Sequence, residues 1–392
     1  MNSLKEIILN IKIPLLITFL FSIANSYFNS FISINLYDLN VNEFELSIVS
    51  NAFYFGIFLS SLFSVRYIQK LGYSKSFQIS IILYFIAILF SIIYRNKFVW
   101  VFLRFISGWA LSAVWIISES WILGKSNSAN RGKMLSIYLL SLQIANAIGQ
   151  LLLGVFTEYE KLGIVTILTI ITISSIINFT VTHDDNIADT KAITGSQSVI
   201  SLLIKNPFYI LVIITAGAFV ATLYSIMPYC FELMQFDQKY TSLLLFIIVS
   251  GGVVLQYPFG YLVDKIGKEK LLLGVFLAIT IIASLITFIP AYTGIYLLCF
   301  FLFGGLISSL YLLGTNLICD SVTGVNFLKL AKILIILYAV GTMIGPFIAP
   351  IFIYKLGAKG VLWFFSCSSF IIFIYLSILM VIKFKQERIY KL

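Results

Sequence analysis

Leu262-Val263-Asp264-Lys265-Ile266-Gly267-Lys268 and Arg66-Tyr67-Ile68-Gln69-Lys70-Leu71-Gly72 are two versions of one pattern, their glycines 195 residues apart. Each closes a long apolar run with a short cationic turn. Gly108 and Gly304 stand 196 apart, as do Gly149-Gln150 and Gly345-Pro346, and half of the 392-residue chain is 196. Two copies of one hydrophobic unit, with glycines at matching places, predict two pseudo-symmetric helical bundles. In transport proteins built this way the solute site lies between the copies.

Hydrophobic residues make up 60% of the chain and charged residues 11%, against about 25% charged in a soluble domain. In a bilayer only helices or a closed barrel satisfy their own backbone groups. The apolar runs are about 20 residues long rather than alternating strands of roughly ten, which selects helices. The expected fold is all-α and membrane-integral, with twelve spans at 13–36, 46–68, 76–94, 98–123, 134–156, 162–182, 207–231, 241–263, 270–289, 293–319, 328–353 and 361–382. Residues 1–182 form one six-helix bundle, 183–206 a cytoplasmic linker and 207–392 the second bundle. Within the linker, 199–204 reads as a short amphipathic helix. The first span is too long for a signal peptide and stays as a helix.

The net charge of +10 follows topology rather than a nucleic-acid surface. The termini and even-numbered loops carry 19 of the 26 Lys and Arg, the opposite loops six, and Arg104 lies inside span four. The positive-inside rule then places both termini in the cytoplasm. Cys230, Cys299, Cys319 and Cys367 have no metal-ligand spacing and read as small buried apolar residues. His183 is the single histidine and falls in the linker. Neither metal nor cofactor is expected, and no enzyme activity. Gly124-Lys125-Ser126 lacks the earlier glycine of a phosphate-binding loop, with Glu119 at that position, so no ATP-driven pump is implied.

Gly260-Tyr261-Leu262-Val263-Asp264-Lys265-Ile266-Gly267-Lys268-Glu269-Lys270 resembles the signature loop of the major facilitator superfamily, which recurs after spans two and eight. In the first copy Gln69 replaces the aspartate, and Ser61 or Leu62 the leading glycine. Arg104-Phe105-Ile106-Ser107-Gly108 is similar to that family's fourth-span pattern. The run from Arg131-Gly132-Lys133 through Gly149-Gln150 to Gly154 resembles its fifth span, with Gln150 where drug antiporters carry proline. Glu119-Ser120-Trp121 and Gln256-Tyr257-Pro258-Phe259-Gly260 resemble a little-characterised bacterial branch. The resemblance covers the whole chain at fold level. It implies a symporter or antiporter of the bacterial inner membrane working by alternating access, with Asp264, Lys265 and Gly267 in a conformational lock. It also implies a small-molecule substrate, protons as the coupling ion, lipid as the surrounding partner and a monomeric state.

Arg104 is the candidate that stands out, because a charge deep in a span costs at least ~2.5–3.5 kcal/mol unless paired or hydrated. It either meets a substrate carboxylate, biases proton release, or clamps span four to Asn25, Asn29 or Asp38 of span one. Glu119, fifteen residues on, lies roughly 22 Å away and about 60° off that face. It is either a proton site or a gate residue pairing with Lys70, Lys75 or Arg131. Gly108, Ser112 and Trp115 fill the stripe between. The amides and tyrosines Asn25, Asn29, Gln143, Asn146, Gln150, Gln256, Tyr311, Asn316 and Tyr338, with Thr342, are expected to face inward, since amides facing lipid would be costly. They serve either as substrate contacts or as interhelical bonds. Asp320 and Lys332 flank the same loop and suit a salt-bridged gate.

The function these observations support is transport of a small amphipathic or carboxylate-bearing solute. A drug or siderophore exporter of the same fold, or a membrane sensor derived from it, remain the alternatives.

Overall fold

The computed structural model describes Leu4–Gly124, Arg131–Thr180, Pro207–Ser321 and Phe327–Ile389. Every regular element among these residues is an α-helix. In chain order they are α1 (Leu4–Asp38), α2 (Glu43–Ile93), α3 (Lys97–Gly124), α4 (Arg131–Val155), α5 (Glu160–Thr180) and α6 (Pro207–Ser225). Then follow α7 (Met227–Leu233), α8 (Gln238–Ile266), α9 (Lys268–Phe288), α10 (Gly294–Ser321), α11 (Phe327–Leu356) and α12 (Gly360–Ile389). The expected linker at 183–206, with its short helix, lies outside the described residues.

Among the described residues eleven helices or helix segments are long and apolar enough to cross a membrane, and the bent pair Ile210–Ser225 and Met227–Leu233, counted as one span, makes a twelfth. The α2 helix supplies two of these spans, separated at Gly72, whose φ of 78° is left-handed. Gly267 separates α8 from α9 with a φ of 88°. A side chain at either place would be strained. The two cationic turns of the sequence repeat therefore share one backbone solution, although the first has lost its aspartate. At the other end of α2, Asn42 caps the helix. Its side chain accepts from the Glu45 N–H at 2.9 Å, and Glu45 returns the bond to the Asn42 N–H at 3.2 Å. Glu45 also pairs with Lys97, joining the starts of α2 and α3.

The chain divides into two compact units, one comprising Met1–Thr194 and Leu223–Phe246, the other Gly195–Thr222 and Ile247–Leu392. Each unit is built on the same close helix contacts. In the first, a Cβ on Gly108 would fall 1.9 Å from the Phe53 carbonyl oxygen; in the second, a Cβ on Gly304 would fall 2.0 Å from that of Ile248. Likewise a Cβ on Gly149 would fall 2.5 Å from the Ile23 carbonyl oxygen, and one on Gly345 2.1 Å from that of Ala218. Small residues at these crossings let backbones touch where lipid supplies no hydrophobic drive. The glycine repeat in the sequence is thus a repeat of helix crossings.

The expected seventh span differs from its continuous reading. It breaks by 44° after Ser225, because Pro228 carries no N–H and cannot donate to the Tyr224 carbonyl one turn back. The piece beyond the break, together with the start of α8, packs in the first unit. There the Tyr229 hydroxyl donates to the Val41 carbonyl at 3.0 Å. The Lys239 ammonium reaches Glu158 at 2.6 Å. That ammonium holds the Glu158 carboxyl below its ordinary range. The pair therefore persists in mild acid and is lost only as pH falls through the depressed value. Both groups are solvent-exposed, so the pair orients more than it stabilises.

Ser242 of α8 makes a less common contact. Its hydroxyl accepts from the Gly154 N–H at 2.9 Å and donates to the Gln150 carbonyl. Gly154 and Gln150 are i and i−4 in α4, so a side chain from another helix bridges one rung of the ladder. A Cβ on Gly154 would lie 2.7 Å from that hydroxyl.

Candidate functional site

Arg104 is 2% exposed, seven residues into α3. Gly108, one turn later, sits against the Phe53 backbone, and this approach lays the Phe53 ring over the guanidinium at 4.0 Å from Cζ to centroid. A cation over an aromatic face gains about 0.5–2 kcal/mol, most when desolvated. The arginine-to-glycine spacing thus has a physical reason: the glycine sets the distance at which α2 can stack on the charge.

The Arg104 Nη2 donates to Asn29 Oδ1 of α1 at 2.5 Å. Asn29 Nδ2 passes the contact on to the Tyr224 carbonyl at 3.0 Å, the oxygen that Pro228 leaves without a helical donor. Ser33 Oγ donates to the Ser225 carbonyl at 2.9 Å, serving the next oxygen at the break. Nε and Nη1 of Arg104 are buried with no partner. Arg95–Glu160, Lys97–Glu45 and Lys239–Glu158 are ion pairs among the described residues, and none of the three involves Arg104. The guanidinium is clamped on one nitrogen and left open on two.

Asn25, one turn before Asn29, accepts from the Tyr84 hydroxyl at 2.9 Å. The sequence paired these two amides on one helix face; the structure gives them different partners. Gln150 is fully engaged. Its Oε1 accepts from Ser30 Oγ at 3.0 Å, and its Nε2 donates to Ser26 Oγ at 2.9 Å and to the Ser26 carbonyl at 3.2 Å. It joins α4 to α1 through both ends of its amide. The Asn146 carbonyl accepts from Ser26 Oγ at 2.8 Å, while Gln143 is half-buried.

Further along α3, Trp115 Nε1 is buried without a partner, as is Ser22 Oγ of α1. Thr18 and Ser118 share a hydrogen bond of 2.6 Å just beyond them. Glu119 is exposed, and no described ion pair joins it to Lys70 or Lys75. In the second unit Tyr311 and Tyr338 meet edge to face with centroids 5.0 Å apart. They pack on a core of Ile213, Ile318 and Leu334. Gln256 is half-buried on α8, and the Thr342 hydroxyl bonds back to the Ala339 carbonyl at 2.7 Å. Gly267 and Lys265 are exposed at the turn, with the Lys265 ammonium 4.6 Å from the Tyr261 ring centroid. The side chains of Asp264, Asn316, Asp320 and Lys332 lie outside those described, as does that of Arg131.

Sequence reasoning missed Phe53, Tyr84, Ser33 and Ser242, since nothing in their local spacing marks them. Pro228 was a readable signal: a proline inside an apolar run predicts a broken span.

A buried cation in a twelve-span helical fold made of two like units defines a membrane carrier. The chain belongs to the Major Facilitator Superfamily, whose family description matches residues 15–326 and 240–389. It is similar to YE1530 of Yersinia enterocolitica, an uncharacterized MFS-type transporter, at 24% identity over 83% of this chain and 84% of the relative. It is also similar to YcaD of Salmonella enteritidis, likewise an uncharacterized MFS-type transporter, at 23% identity over the same shares. Among solved structures, the nucleoside transporter NupG matches with a TM-score of 0.75 and 11% identity, covering 95% of this chain and 99% of that one. A D-xylose-proton symporter matches at 0.69 and 14%, covering 95% and 97%. These likenesses establish the fold, and with the family a multi-pass transporter.

Asn29→Leu leaves Arg104 Nη2 and the Tyr224 carbonyl unpaired together, at about 1–3 kcal/mol for each buried group. Asn25→Leu frees only the Tyr84 hydroxyl. Detergent melting curves are expected to show a clearly larger fall for Asn29→Leu. Equal melting temperatures in the two variants would remove Asn29 from its bridging position.

Proposed function

We propose that the protein is a secondary active transporter that carries a small amphipathic, carboxylate-bearing solute across the bacterial inner membrane by alternating access, coupled to protons. The observation that carries this reading is the state of Arg104. A guanidinium stays charged in a protein, and burying it without a counter-charge costs several kcal/mol. An aspartate at position 29 would remove that cost permanently. A neutral amide stands there instead, steering the group while leaving its charge available. A transported carboxylate supplies the missing charge on arrival and takes it away on release. Arg104 cannot carry the coupling proton; Glu119, exposed near the far end of the same helix, is the α3 group able to exchange one.

The charge asymmetry of 19 against six supports a topology with both termini cytoplasmic. It likewise supports a cytoplasmic position for the proposed 183–206 linker between bundles 1–182 and 207–392. A reporter fused after Leu392, or inserted near Gly195, is expected to read cytoplasm. An external signal at either place would overturn the orientation.

A thermal-shift screen tests the substrate class. Carboxylates at a hundred times their Kd stabilise the folded carrier by about 2.7 kcal/mol, whereas their neutral amides are expected to give little shift. Arg104→Gln is expected to remain folded and lose the carboxylate response. A full response in that variant would sink the reading.

A further inference from the structure

We infer that the first unit holds a second, neutral end of the solute site at Trp115 and Ser22, so that the solute is a carboxylate bearing an uncharged hydrogen-bond acceptor at a distance. This rests on the reading of Arg104 as the carboxylate anchor.

The register of α1 against α3 is fixed at two points. Thr18 bonds Ser118 at one level and Asn29 bonds Arg104 at another, so the two helices run antiparallel. Ser22 is one turn along α1 from Thr18, and Trp115 one turn along α3 from Ser118, in the same direction. They therefore occupy one level of the seam. Both present buried polar atoms with no partner, Ser22 Oγ and Trp115 Nε1, and Ser22 is 2% exposed. A buried donor without an acceptor carries a desolvation penalty, which a bound acceptor removes.

Arg104 and Trp115 are eleven residues apart, which returns a helix to within about 20° of the same face. The separation is roughly 10 Å along α1, from Ser22 to Asn29, and roughly 16 Å along α3. An indole N–H donates and never accepts. Glu119 stands one turn beyond Trp115, so a second anion there would be repelled and would also lack a cation. The chemistry that fits is an amide, ester or hydroxyl group, joined by an apolar spacer to a carboxylate on Arg104.

The probes are dicarboxylic acid monoamides of graded chain length, the unsubstituted monocarboxylates of equal length, and the matching ω-amino acids. Each is titrated against the purified full-length protein in lipid nanodiscs. In the wild type one monoamide length is expected to bind at least about tenfold tighter than its plain monocarboxylate. Trp115→Phe, which keeps the ring and loses the N–H, is expected to erase that advantage. Ser22→Ala is expected to reduce it. Arg104→Gln abolishes binding of both compounds. Equal affinity of monoamide and monocarboxylate, with Arg104 still required, overturns the second subsite and leaves the anchor standing. Tighter binding of the ω-amino acid overturns the neutral-acceptor chemistry. Binding of none of the probes, or binding insensitive to Arg104→Gln, overturns the anchor and this inference together.

Discussion

The guanidinium of Arg104, buried with an amide rather than a carboxylate for its partner, is the constraint around which the first unit is arranged. Its cost is met in pieces. Phe53 covers one face, which requires α2 to approach closely, which requires Gly108. Asn29 takes one nitrogen and needs a partner for its own N–H, which it finds at the Tyr224 carbonyl. That carbonyl is free because Pro228 breaks the helix. No piece neutralises the charge. What remains is a cation stabilised enough to stay buried and open enough to attract an anion.

The same chain of contacts ties the site to the broken span. The residues at the break meet α1 through Asn29 and Ser33, which bond the Tyr224 and Ser225 carbonyls, and meet the turn before α2 through the Tyr229 hydroxyl on Val41. The beginning of α8 meets α4 through Ser242, and the turn after α4 through the exposed Lys239–Glu158 pair. Apolar packing accompanies these polar contacts: Met227, Cys230 and Phe231 are buried, and the Tyr229 ring meets that of Tyr37 edge to face with centroids 6.0 Å apart. The glycine crossings differ in kind, since they place backbone on backbone.

Much of the architecture was legible because it follows from long-range regularities. Span length, charge asymmetry and the interval between glycines are properties of the whole string, and the crossings at Gly108 and Gly304 repeat that interval. Gly72 and Gly267 were readable as turns even though one copy had lost its aspartate, because left-handed backbone depends on the glycine and not on its neighbour. Arg104 was legible as a candidate since charges in spans are costly, and Asn29 was among the partners foreseen for it. Phe53, Tyr84 and Ser242 were not, because each owes its role to a residue on another helix, and one sequence carries no sign of which rotations will face each other. Gln150 shows the opposite failure. Its place on the inward stripe of α4 was correctly read, yet facing inward only delivers it to Ser26 and Ser30, where it is consumed by structure.

The most direct measurement is solute flux into proteoliposomes by the wild type and Arg104→Lys over a wide concentration range, using a carboxylate that stabilises the wild type. Lysine keeps the positive charge and loses the planar fork. The account predicts a KM raised by about tenfold or more, with the maximal rate changed far less. A KM equal to that of the wild type would contradict it, and would leave Arg104 as a clamp between α3 and α1.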